Sequence, residues 1–139
     1  MKAALIGLPL AAILAGCVPY PVNKTLQPAA RLQLLDQRGM PVADAEVTLI
    51  SRNRFGQSEH LRQTGHSDAQ GWVHFNRMAE WRVETSMLHG SAQYLWNWCV
   101  YRPGFVTWQS TPEGDRFNRE QSVRLLPGAS RPCPPAPGE

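Results

Sequence analysis

The chain lacks most signatures of chemistry. It has no GxSxG elbow for a serine nucleophile, no HExxH zinc pair and no glycine-rich phosphate loop. Heptads and long helical faces are absent, which argues against a coiled coil or helix bundle. Its 14 Lys and Arg stand singly among 11 Asp and Glu, for a net charge of +3. Without a basic cluster, no nucleic-acid partner is expected. The apolar run Ala3 to Ala15 is shorter than the roughly 20 residues of a membrane-spanning helix. Cysteine is scarce, with three in 139 residues at Cys17, Cys99 and Cys133.

Turn chemistry, by contrast, is abundant. Twelve Pro and eleven Gly in so short a chain favour many turns over long helices, and the length points to one domain. Met1-Lys2 followed by the small, apolar Ala3 to Ala15 has the form of a secretory signal.

Leu14-Ala15-Gly16-Cys17 resembles a bacterial lipobox. The resemblance implies cleavage before Cys17, diacylation of its thiol and acylation of the new amino terminus with fatty chains such as palmitate. Several acyl chains hold a protein at a membrane far more firmly than one. Val18-Pro19, rather than Asp, follow the cysteine, which in that family implies the outer membrane, facing the periplasm, with display on the cell surface left open. Loss of residues 1–16 removes Lys2 and no acid, so the mature charge is +2. Residues 17–29 hold three prolines and no periodicity, and read as a lipidated cysteine and short tether. In an oxidising compartment, the remaining Cys99 and Cys133 are expected to pair, stapling the Pro-rich tail, residues 129–139, onto the domain.

Residues 30–128 alternate as short strands. Leu32 and Leu34 alternate with Arg31 and Gln33. Asp36 to Gly39 is a turn in which Asp bonds back to the chain and Gly accepts positive φ. Ala45, Val47 and Leu49 point one way. Ser51 to Ser58 reads as a loop and His60 to Ser67 as a polar edge strand. Asp68 to Gly71 is a second such turn, after which Val73 and Phe75 go inward and Trp72 and His74 outward. Asn76 to Glu80 reads as irregular. Trp81 to Leu88 is open between a strand and a helix on whose face Met78, Trp81 and Leu88 would lie. A hairpin with Gln93 to Tyr101 through a turn at His89-Gly90-Ser91 is favoured. Arg102 to Phe105 is a further turn, and Val123 and Leu125 mark the last strand. The expected fold is an all-β, seven-to-eight-stranded Greek-key sandwich, transthyretin-like or immunoglobulin-like.

In order along the chain, Leu34-Leu35-Asp36 through Gly39, Pro41 to Leu49, Asp68 through Phe75, Gly104-Phe105 and Val123-Arg124-Leu125 resemble the carboxypeptidase regulatory-like domain. The resemblance spans Arg31 to Gly128 and implies a prealbumin-like sandwich. It also implies a structural or binding accessory without catalytic residues of its own. Some transthyretin-fold proteins hydrolyse a purine breakdown product and carry a C-terminal Tyr-Arg-Gly-Ser. Here Pro137-Gly138-Glu139 stand instead, so that activity is not implied.

Candidate sites are few. His60 and His66, six apart on a strand, would lie roughly 20 Å from each other, and His74 adds only a weak second ligand, so no metal is expected. Ser67, His66 and Asp68 are adjacent and cannot form a triad by themselves. No cofactor is expected, and an envelope hydrolase finds little support. The aromatics carry more signal: Trp72, Trp81, Tyr94, Trp96, Trp98 and Trp108 are the candidate binding residues. On alternation Trp96, Trp98 and Val100 share one face, with Leu95, Asn97, Cys99 and Tyr101 opposite. One set packs the core, and the other meets solvent or a partner unless the tail covers it. The expectation is a non-enzymatic lipoprotein that binds or scaffolds another envelope protein. The alternative is a carbohydrate- or peptidoglycan-binding module using exposed tryptophans.

Overall fold

Alternation at Ala30–Leu35 does what period two requires: Ala30, Leu32 and Leu34 are buried while Arg31 is exposed and Gln33 half-buried. The computed structural model describes residues 18–85 and 92–138, and these are all-β. The strands are β1 (Pro19–Gln27), β2 (Ala30–Leu35), β3 (Glu46–Asn53), β4 (Glu59–His66), β5 (Trp72–Phe75), β6 (Met78–Thr85), β7 (Tyr94–Tyr101), β8 (Trp108–Gln109) and β9 (Glu120–Arg124). They form a two-stranded ribbon, β1-β6, a three-stranded sheet, β5-β2-β9, and a four-stranded sheet, β4-β3-β7-β8. Residues 18–24, 79–85 and 92 belong to one compact unit, and the rest of the described residues to a second.

In the second unit both larger sheets contribute to one apolar core. Leu32, Leu34, Val73, Phe75 and Val123 come from the three-stranded sheet, and Val47, Leu49, Trp98 and Val100 from the four-stranded one. Trp98, fully buried, lies at its centre, with ring centroids 5.8 Å from Phe75 and 5.6 Å from Phe117. This arrangement is consistent with a β-sandwich.

The two turns are built alike. Asp36 Oδ1 accepts the amides of Arg38 (2.8 Å) and Met40 (2.9 Å), and Gly39 N–H donates to Asp36 O at 3.0 Å. Asp68 Oδ1 accepts Gln70 and Trp72 (both 2.9 Å), and Gly71 N–H donates to Asp68 O at 2.9 Å. Gly39 and Gly71 have φ of 81° and 79°, the left-handed region that glycine enters most easily.

The sheet β4-β3-β7-β8 would present its outer face to water, but the tail straps it. Ser130 Oγ donates to Arg102 O at 2.9 Å and accepts Gly104 N–H at 3.0 Å. Arg131 N–H donates to Thr107 Oγ1 at 2.9 Å, and that hydroxyl donates to Arg131 O. Cys133 is disulfide-bonded to Cys99 on β7, as expected from the cysteine count, and Arg62 Nη1 on β4 donates to Pro134 O at 2.7 Å. On this face Cys99, joined to the tail, and Asn97, which accepts from Arg52 Nε, are almost fully buried.

Several local expectations change. The loop expected from Ser51 to Ser58 begins only after Asn53, because residues 51–53 continue β3 and pair with β7. The favoured hairpin between Trp81 to Leu88 and Gln93 to Tyr101 is not formed. Residues 81–85 are a strand, but β6 pairs with β1, because both edges of β7 are taken by β3 and β8. The turn His89-Gly90-Ser91 lies outside the described residues. Part of the stretch read as irregular, Met78 to Glu80, belongs to β6. The segment 17–29, read as a tether, carries the nine-residue β1. Its prolines hold φ in the extended range and suit a strand that need not donate at every position. Its end is fastened: Leu26 and Gln27 are buried, and Gln27 Nε2 donates to Leu49 O at 2.7 Å.

Candidate functional site

The outer face of β5-β2-β9 gathers the side chains that alternation turns away from the core. Arg31 faces His74 on β5 and Glu120 on β9, and Gln33 faces Trp72 and Ser122, so two cross-strand rows form. Arg31 joins them. Its guanidinium is ion-paired with Glu120 and lies 4.9 Å from the centroid of the Trp72 ring. The Trp72 and His74 rings follow at 6.1 Å. Ser122 Oγ donates to Gln33 Oε1 at 3.0 Å, and Gln33 Nε2 donates to Gln70 O at 3.4 Å.

The hydrogen bond from Arg31, with its charge adding to it, holds the Glu120 carboxyl below its ordinary value, and Glu120 raises Arg31 in turn. The pair is therefore fully charged above the ordinary carboxylate range and weakens as pH falls through the lowered Glu120 value. Being open to water, it orients the guanidinium more than it stabilises the fold. Beside it lies a shallow cavity of about 310 Å³, lined among others by Ala29, His74, Phe75, Asn76 and Arg119. A larger groove of about 490 Å³ runs past Arg54, Leu95, Glu113 and Arg116, with no aromatic side chain in its lining among the described residues.

The aromatic candidates divide sharply. Trp72 is half-buried on the face just described. Trp81 is 74% exposed on β6. Trp98 is fully buried and Tyr94 nearly so, the latter with its ring 5.1 Å from His60. Trp96 is half-buried with its indole N–H donated to Leu26 O at 2.8 Å, and Trp108 packs against the core. Trp96 and Trp98 thus share the face of β7 that packs the core. On the opposite face Asn97 and Cys99 are buried, Cys99 being bonded to the tail.

His60, His66 and His74 are exposed, and among the described residues no three His, Cys, Asp or Glu side chains converge to hold a metal. Ser67 is committed to structure, its Oγ donating to Val42 O at 2.8 Å and accepting Ala45 N–H at 2.9 Å. Cys17 lies outside the described residues. Sequence reasoning missed Arg31, Gln33, Glu120 and Ser122. Alternation placed Arg31 and Gln33 away from Leu32 and Leu34. The parallel pairing of β2 with β9 brings Glu120 and Ser122 beside them from 89 residues away, beyond any local signal. Compared with protein-family models, curated proteins and solved structures, the chain matches none.

Proposed function

We propose that this chain is a non-enzymatic lipoprotein of the outer membrane, anchored through Cys17, whose transthyretin-like Greek-key domain docks another protein of the cell envelope. The lipobox and the ordered turn motifs support the anchor and the carboxypeptidase regulatory-like fold. The observation that carries the docking role is the Arg31–Trp72–His74–Glu120 cluster. Trp and Arg dominate binding energy at protein interfaces, and here the arginine is already oriented by its acidic partner and by the indole. Preorganisation of this kind lowers the entropy lost on binding.

In-cell crosslinking of the tagged protein tests the reading. Wild type is expected to give one or a few specific envelope adducts. Trp72→Ala and Arg31→Ala should each weaken the adduct roughly thirty-fold, the equivalent of about 2 kcal/mol, with Arg54→Ala as an unaffected control. Equal adducts from all four proteins would sink the docking face. Cys17→Ala is expected to leave the protein uncut or in the soluble fraction, and an unchanged membrane fraction would contradict the anchor.

A second reading, binding of a glycan or peptidoglycan, draws on Trp72 standing beside the polar Gln33 and Ser122. The close guanidinium over its ring weighs against it, since a sugar stacks on an open aromatic face. Cell-wall fragments that change tryptophan emission in wild type but not in Trp72→Ala would favour the glycan.

A further inference from the structure

The ribbon β1-β6 is amphipathic in an inverted sense. Lys24 lies 3.4 Å from Glu84, and Arg82 3.9 Å from Glu80, which sets these four charges on one face. On that face Lys24, Arg82 and Glu84 are half-buried. Alternation turns Pro19, Pro21, Trp81 and Val83 to the other face. The strand residues of that face carry no charge, although Asn23 and Thr25 also lie on it and Thr25 accepts from Arg77 at its far end, and it is open, with Trp81 74% and Val83 69% exposed. A large apolar patch left in water marks an interaction surface.

The position of the ribbon says what covers it. One residue, Val18, separates Cys17 from β1. If Cys17 carries acyl chains, the start of β1 lies within about 7 Å of the anchor, given some 3.3–3.6 Å per extended residue. The Lys24–Glu84 pair then brings the end of β6 level with the seventh residue beyond the anchor. The end of β6 thus lies within about 25 Å of the anchor, the span of seven extended residues, close enough for the ribbon to lie along the lipid headgroups. Laid flat, it offers Pro19, Pro21, Trp81 and Val83 to the bilayer and keeps Lys24, Glu80, Arg82 and Glu84 on the water side. Tryptophan is enriched at this depth, where an apolar ring and a polar N–H are both accommodated. We infer that the uncharged face of the β1-β6 ribbon is a second membrane contact, lying on the phospholipid surface beside the anchor. The inference rests on the anchoring proposed above and adds the surface that fixes how the domain's N-terminal ribbon meets the membrane.

The test uses the full lipoprotein, purified from membranes and reconstituted in phosphatidylethanolamine/phosphatidylglycerol vesicles with bromine-labelled acyl chains, which quench nearby indoles. Trp81 is one of five tryptophans, so wild type should lose about a fifth of its emission, whereas Trp81→Phe should lose none. Equal quenching of the two proteins, or none in either, overturns the inference. A photo-crosslinker in place of Val83 should form adducts with phospholipid, and adducts with another protein or a second copy would likewise overturn it. The mass of the Cys17 peptide separates the two levels. An acylated Cys17 with an unquenched Trp81 rejects the ribbon contact alone, and an unmodified Cys17 rejects the anchor and the ribbon contact together.

Discussion

Cys99→Ala/Cys133→Ala is expected to lower stability by about 3–4 kcal/mol, read as a fall in the urea midpoint. The cysteines are 34 residues apart, and cross-linking a loop of that length restricts the unfolded chain by about this much. The consequence is large because small domains hold only about 5–15 kcal/mol in all. The native side adds a second effect. Cys99 is fully buried, and without the bond the strap is left to weaker attachments such as its hydrogen bonds to Arg62, Arg102, Gly104 and Thr107. The double variant should therefore also show faster amide exchange in the outer face of β3 and β7. A loss below about 1 kcal/mol would mean that these bonds and the proline-rich backbone hold the strap unaided.

The second large effect separates two glycines of nearly the same conformation. Gly39→Ala should cost about 1–2 kcal/mol, the penalty of a left-handed backbone for an L-residue, because no atom lies within 4 Å of the added methyl. Gly71→Ala should cost about 3 kcal/mol or more, since overpacking adds its own 1–3 kcal/mol. There the methyl would fall on the carbonyl oxygen of Leu34, well inside van der Waals contact. That carbonyl cannot readily move away: it accepts Val42 N–H at 2.9 Å, and Leu34 N–H donates to Gly71 O at 2.8 Å. Parallel thermal melts of the two variants make the comparison, and equal losses would show that backbone strain alone matters at both turns.

These turns also show why much of the framework could be read from residues. Asp36-to-Gly39 and Asp68-to-Gly71 are local. Their carboxylates meet amides two and four residues on, so the chemistry lies within a five-residue window. The inward and outward choice at β2 and β5 was legible for the same reason. The partner of β6 was not. A hairpin was favoured on the turn residues His89-Gly90-Ser91 and the aromatic-rich stretch after them, yet long-range pairing of β7 with β3, from Glu46–Tyr101 to Asn53–Tyr94, takes the edge that hairpin needs. The strand β1 within residues 17–29 was hidden on a related point. Prolines mark an absence of helix, but whether extended chain pairs with another strand depends on what lies opposite. The docking face was half visible: Trp72 was named as a candidate, while Glu120 and Ser122 were invisible until the last strand had been placed.

That last strand sets the order of assembly. β9 is the final strand described and lies parallel to β2, beside it from Arg31↔Glu120 to Leu35↔Arg124. A chain emerging N-terminus first from a ribosome or a translocation pore cannot complete this sheet until residue 124 is free. Until then one edge of β2 and the apolar side chains beneath it stay uncovered. Closing so long a loop is slow relative to hairpin formation. The arrangement therefore ties completion of the β5-β2-β9 sheet to the release of residues 120–124.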